Sequence, residues 1–84
     1  MINKEILKKK IIYRSTHRGS KEMDLLLGNF VKRYIDNLNE QDLKDLHQLL
    51  LIEDDIIFGW YFEKEKTNVI KNNKISQMLK AYNL

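Results

Sequence analysis

The sequence predicts an all-α fold, a small single-domain bundle of five short helices over residues 1–84. Three observations carry this reading. Apolar residues recur at three- and four-residue spacing through most of the chain, the period of a helix with one buried face. There is no proline to break a helix. The junctions between apolar runs, Asn39-Glu40-Gln41-Asp42 and Glu53-Asp54-Asp55, have the cap residues and early acids of helix starts.

The elements follow in order. The first runs roughly from Asn3 to Ser15, with Ile6, Leu7, Ile11, Ile12 and Tyr13 as its apolar positions and Lys8, Lys9 and Lys10 facing water. Its Ile-Ile-Tyr end also suits extended backbone. The lysine run reads as a solvated face more readily than as a contact for an acidic partner. The second is the clearest: Met23, Leu26, Leu27, Phe30, Val31, Tyr34, Ile35 and Leu38 form one wide stripe. Gly28 inside it costs about 1 kcal/mol relative to alanine, which tight helix–helix packing explains more readily than a second close-approach site for a partner. The third helix starts at the Asn39 cap and turns Leu43, Leu46, His47, Leu49 and Leu50 inward. His47 reads as a partly buried structural residue; with two histidines and no cysteine in the chain, a metal site is not expected. The acids 53–55 can cap a fourth helix over Ile56 to Phe62, in which Trp60 anchors the core rather than a partner. Residues 63–73 read as a polar loop with some helical character. A last helix, about Lys74 to Tyr82, carries Ile75, Met78, Leu79 and Tyr82 on one face.

A chain of 84 residues forms one core, about 12 Å in radius of gyration. The lack of cysteine excludes disulfides and thiolate metal sites, and no apolar run reaches the length of a membrane span. The start, Met1-Ile2-Asn3-Lys4-Glu5, has no apolar core of a signal peptide and no transit-peptide bias. A bacterial cytoplasm is therefore expected ahead of a mitochondrial matrix. The net charge of +3 conceals an asymmetry: residues 1–21 carry +6, residues 22–55 carry −6 and residues 56–84 carry +3. Such a dipolar surface orients a protein on a partner, whereas a nucleic-acid binder shows a broader basic surface.

No catalytic constellation is found: neither a nucleophile with its base, nor a metal-binding helix motif, nor a phosphate-cradling glycine loop. Glu22 and Asp24 stand two apart, so on a helix they diverge. The distinctive stretch is His17-Arg18-Gly19-Ser20-Lys21-Glu22-Met23-Asp24. Glu22 and Asp24 fall in the first turn of the second helix, where the free N–H groups favour negative charge. Arg18 is read as a five-donor fork left free beside a bare glycine, or as the partner of Glu22 in an i, i+4 pair. Gly19 is either a turn residue with positive φ or a point of close approach for another molecule. The patch suits docking onto a macromolecule.

At these residues the chain resembles the succinate dehydrogenase assembly factors, small proteins that promote covalent flavin attachment. The family signature, Arg-Gly-x-x-Glu followed by x-Asp, stands as Arg18-Gly19-Ser20-Lys21-Glu22-Met23-Asp24. Tyr13-Arg14-Ser15-Thr16-His17 before it and Leu25-Leu26-Leu27-Gly28 after it extend the likeness to the alphaproteobacterial and mitochondrial branch. Glu53-Asp54-Asp55-Ile56-Ile57-Phe58-Gly59-Trp60 matches the family's acidic turn before an aromatic-x-Trp, with Asp55 and Ile56 where the family has Pro and Asp. The likeness covers about residues 5–62.

The resemblance implies a five-helix bundle that is not an enzyme. It implies a chaperone that binds the flavoprotein subunit of succinate dehydrogenase, or of fumarate reductase, and aids attachment of FAD to a histidine of that subunit. It implies no stably bound cofactor, no nucleic acid or membrane partner, and a monomer when free. Tyr13, Arg14, His17, Arg18, Gly19, Glu22 and Asp24 would face the partner, with Glu22 and Asp24 fixing the Arg18 fork or pairing across the interface. The competing reading is a small basic helical nucleic-acid-binding or antitoxin-like regulator. It rests on the pI of 9.2 and the basic N-terminus.

Overall fold

The computed structural model describes residues 3–84; Met1 and Ile2, the first two residues of the start read above for a leader, lie outside the described residues. The described chain folds as five α-helices and no strand: α1 (Lys4–Thr16), α2 (Lys21–Tyr34), α3 (Glu40–Leu50), α4 (Asp54–Phe62) and α5 (Lys74–Ala81). The Cα radius of gyration is 12.0 Å. Among the described residues no helix is long and apolar enough to cross a membrane.

Local chemistry places most of the ends. Asn3 caps α1 by accepting from the amides of Glu5 and Ile6. Ser20 caps α2, with its hydroxyl accepting from Met23. Asn39 caps α3 in a reciprocal box with Asp42, and Asn73 does the same for α5 with Ser76. Each such cap satisfies amides that the helix leaves without a partner. Asp42 is also buried, and its carboxylate takes the Lys74 ammonium at 3.0 Å, which ties the start of α3 to the start of α5.

α1 is the central strut, packing on both α2 and α3. Its inner stripe is Leu7, Ile11 and Ser15, spaced four apart. Buried Ser15 satisfies its hydroxyl on the Ile12 carbonyl at 2.9 Å. The other apolar residues expected inside, Ile6, Ile12 and Tyr13, are exposed. A stripe one residue wide is all that a helix wedged between two others can bury without turning its lysines inward.

Phe30, Met23, Leu26 and Leu27 of α2, Leu43 and Leu46 of α3, Ile57 of α4 and Ile75 and Leu79 of α5 complete the core. Trp60 is buried as expected, with the Lys80 ammonium 5.3 Å from its ring.

Two boundaries differ from the sequence reading. The second stripe does not continue as α-helix to Leu38; α2 stops at Tyr34 and a 3₁₀ turn, Ile35–Asn37, follows. The tighter three-residue turn still lets Ile35 and Leu38 reach the core. Residues 63–73 have no helical turn. Lys64 takes a left-handed φ of 60° and the Glu65 amide bonds back to the Gly59 carbonyl at 3.0 Å, which stops α4 sharply. Buried Ile70 then pins the loop.

Gly28 faces the end of α1. A methyl group there would lie 3.6 Å from the Ser15 carbonyl oxygen and 3.7 Å from Thr16 Cγ2, which is ordinary contact. The packing therefore admits alanine, and the helix gains by it. Gly28→Ala is expected to stabilise the fold by about 0.5–1 kcal/mol, a rise of several degrees in Tm for a domain of this size. Thermal unfolding followed by circular dichroism checks this; a lower Tm would mean that the two helices need the bare Cα.

Candidate functional site

The link between α1 and α2, residues 17–20, carries the Arg-Gly pair, and its neighbours are the end of α3 and the start of α4. α1 terminates at His17, whose ring stacks on Tyr13 with centroids 3.9 Å apart and planes 17° from parallel. His17 Nδ1 lies 2.8 Å from the Tyr13 carbonyl oxygen. Tyr13 itself is 63% exposed, so the stacked pair stands on the surface.

Arg18 turns the other way. Its side chain is only 8% exposed. Nε donates to Asp54 Oδ1 at 2.8 Å, and Nη2 stands 2.6 Å from the same oxygen in an ion pair. Nη1 donates to the carbonyls of Leu50 at 2.7 Å and Arg14 at 3.2 Å, and Nη2 to that of Ile52 at 3.1 Å. All three guanidinium nitrogens thus have acceptors, through four hydrogen bonds. Three of the acceptors are main-chain carbonyls at or just past the ends of α1 and α3, which a helix leaves partly negative and unpaired. Asp54 lies in the first turn of α4, where a carboxylate is favoured.

The remaining bonds lock the link. Asp54 Oδ2 accepts from the Gly19 amide at 2.7 Å, and Asp24 Oδ1 accepts from the Arg18 amide at 2.6 Å. One arginine and two aspartates so join four helices at a single point.

This corrects three expectations. Arg18 is not a free fork, and it does not pair with Glu22; a half-buried carboxylate and three carbonyls outcompete an exposed i, i+4 partner. Asp24 does fix Arg18, but through the main chain, while the fork is held by Asp54. Glu53-Asp54-Asp55 does not act as a side-chain cap: the N-cap Glu53 makes no cap bond, and Asp54 reaches across to the Arg-Gly pair.

Gly19 is also decided, since no glycine among the described residues has positive φ. A Cβ at Gly19 would lie 3.1 Å from Asp54 Oδ2. The close approach that the glycine permits is, within this chain, that of its own Asp54. Its outer side remains exposed.

The predicted residues therefore separate into an inner and an outer set. Arg18, Asp24, the Gly19 amide and the Arg14 carbonyl form the clasp. Glu22 is exposed, has no ion pair or hydrogen bond among the described residues, and lines a shallow groove of about 390 Å³ with Gly19, Ser20, Met23, Asp54, Asp55 and Phe58. Tyr13 and the Arg14 side chain line a second groove, of about 430 Å³, with Lys9, Lys10 and His47. The two grooves share no residue, so Tyr13 and Arg14 do not share a groove with Glu22.

Asp54, the residue on which the clasp turns, was legible only as part of an acidic turn. His47 Nε2 is buried without a hydrogen-bond partner. Burial, followed by the nearby charges of Arg14 and Lys10, lowers its pKa from the ordinary 6.5.

A family model described as the flavinator of succinate dehydrogenase matches residues 9–83. The match extends through α5, beyond the stretch on which the sequence resemblance rested. Among curated proteins, succinate dehydrogenase assembly factor 2, mitochondrial, of Dictyostelium discoideum is 44% identical over 68 residues, 75% of this chain and 48% of that protein. Assembly factor 2-A, mitochondrial, of Drosophila willistoni is 35% identical over 80 residues, 93% of this chain and 51% of that protein. Assembly factor 2, mitochondrial, of Saccharomyces cerevisiae is 32% identical over 77 residues, 87% of this chain and 48% of that protein. The chain spans about half the length of these curated relatives. No solved structure matches it. The relatives are mitochondrial proteins of eukaryotes by name, which overturns the expectation of a bacterial cytoplasm.

Two outcomes test the site. Removing either clasp partner strands the other in a mostly buried place, so Arg18→Ala and Asp54→Ala are each expected to cost about 2–4 kcal/mol, discounted for the partial exposure of Asp54. The double variant should cost much less than their sum, and Arg18→Lys should recover only part, since an ammonium with three donors cannot serve four spread acceptors. Urea denaturation of the four variants measures this; additive losses would dissolve the clasp.

For His47 the folded pKa lies below the unfolded one. The unfolded chain therefore binds the proton first as pH falls through about 6.5. Stability is expected to drop from pH 7.5 to pH 5.5, and the drop should shrink in His47→Gln. An unchanged urea midpoint difference in that variant would assign the pH dependence to other groups.

Proposed function

The chain belongs to the succinate dehydrogenase assembly factor family, and on that premise we propose that it is a mitochondrial assembly chaperone. It binds the flavoprotein subunit of succinate dehydrogenase and promotes that subunit's covalent attachment of FAD. The chain supplies no reacting group. The imidazole and the flavin methyl that become joined both belong to the partner, and the work of this protein is to hold the partner so that they meet. Alignment of reacting groups can supply a large part of a barrier without any chemistry from the helper.

The observation that carries this reading is the clasp. It fixes Gly19, Ser20 and Glu22 as a rigid edge at the mouth of α2, with the Gly19 surface bare and the Glu22 carboxylate unpaired. A rigid edge loses little conformational freedom when it is covered, so more of the contact energy goes into holding the partner's geometry. Arg18 contributes from behind, by holding that edge. Gly19 and Glu22 make the contact, and Tyr13 and His17 extend it along α1 as one stacked unit.

Coexpression with the flavoprotein subunit is expected to raise the covalent flavin that survives denaturation, read as in-gel fluorescence. Glu22→Lys should reduce that gain several-fold while leaving the urea-derived stability within about 0.5 kcal/mol of wild type, since the position is exposed and unpaired. Gly19→Arg is a less clean variant, because its Cβ already presses on Asp54. If the wild-type chain leaves covalent flavin unchanged, the proposed function is wrong.

A further inference from the structure

The groove on α1 meets the clasp only through the Arg14 main chain, and its lining gathers several cations. Lys9, Lys10 and Arg14 stand on one exposed side of α1, with Tyr13 between them and His47 of α3 behind. Among the described residues only Lys8, Arg18, Lys44 and Lys74 find a carboxylate; the groove stands out because three of the unpaired cations share one side of a helix. None of the three groove cations has an ion pair among the described residues. Lys10 and Arg14 are four apart, a like-charge pair that weakens the helix by a few tenths of a kcal/mol. The buried His47 Nε2 at the back of the groove also lacks a partner. Two apolar side chains flank the cations on the same side of the helix: Ile6, 53% exposed, and Tyr13, seven residues on. Cations without counter-ions and exposed apolar residues coincide on one face of α1, with the His47 ring of α3 behind them.

We propose that this groove receives an acidic, partly apolar segment of the flavoprotein subunit, with a carboxylate seated among Lys9, Lys10 and Arg14 and an apolar side chain laid against Ile6 and Tyr13. The inference rests on the proposed function above and adds a second contact to it. Charge and size select this occupant. From Lys9 to Arg14 the helix rises about 7.5 Å, room for one or two carboxylates. A nucleic-acid backbone needs a longer basic track, and here it would meet the net −6 of residues 22–55 on the neighbouring elements. A free small anion would leave Ile6 and Tyr13 uncovered. The groove is also rigidly joined to the clasp, because the Arg14 carbonyl accepts from Arg18 at 3.2 Å. A partner that covers Gly19 and Glu22 can therefore be gripped at two places of opposite charge, which fixes its orientation.

The test is titration calorimetry of the full chain against the purified flavoprotein subunit, at low and at high salt. Wild type should bind, and more weakly at high salt. The double variant Lys9→Glu, Lys10→Glu should weaken binding by about tenfold or more at low salt and flatten the salt dependence. Its fold should be intact or slightly firmer, since the new carboxylate from Lys10→Glu would face Arg14 at i, i+4; thermal unfolding verifies that.

Equal binding by wild type and the double variant overturns the groove and leaves the proposed function standing. No binding by wild type overturns both. Wild type binding a labelled DNA duplex more tightly than the flavoprotein, at the same salt, also overturns the groove as described.

Discussion

The interaction on which the structure depends is the burial of the Arg18 guanidinium against Asp54. A guanidinium taken out of water is costly unless its donors and its charge are met, and here each of its nitrogens has an acceptor and the charge has Asp54. The acceptors are not spare side chains but main-chain carbonyls that α1 and α3 expose at their ends, together with the first-turn acid of α4. One side chain therefore satisfies several groups that would otherwise need caps. A small core leaves little stability in reserve, so the crossing of four helix ends is held by polar bonds with fixed directions. Directional bonds define one geometry more sharply than apolar packing, which tolerates rearrangement.

The clasp explains how a docking edge can be built on a loop. Residues 17–20 lie between two helices, yet both the Arg18 and Gly19 amides are held by carboxylates at 2.6 and 2.7 Å. Stiffness at an exposed turn is what a positioning protein requires, because a loose turn would lose contact energy to its own ordering. Glycine at position 19 serves this first from inside: a side chain there would press against the aspartate that holds the turn.

Charge is organised on the same scaffold. The segment from Glu22 to Asp55 is acidic and surrounds the groove beside Gly19; the N-terminal lysines and Arg14 form a basic groove on α1. Because α1 packs on both α2 and α3, two regions of opposite charge are held at fixed distance. Burial and the surrounding cations disfavour a charge on His47, so the basic groove is not further crowded with positive charge. A surface with both signs arranged this way resists a polyanion and orients a partner that carries both signs itself.

The amino-acid sequence by itself determined the helices and most of their ends. Periodicity in α2, α3 and α5 and the caps at Asn39 and Ser20 act within a few residues, and nothing at longer range competes with them. It also determined the family, since the Arg-Gly-x-x-Glu spacing is local. It did not determine which way Arg18 faces. The carboxylate that decides this is 36 positions away, and the carbonyls that share the guanidinium carry no residue-type signal at all. The same holds for α1, whose low-contrast pattern of lysines and isoleucines does not say which isoleucines face inward until α2 and α3 are both in place. Only tertiary structure settles such choices, because they depend on groups that become neighbours after the chain has folded.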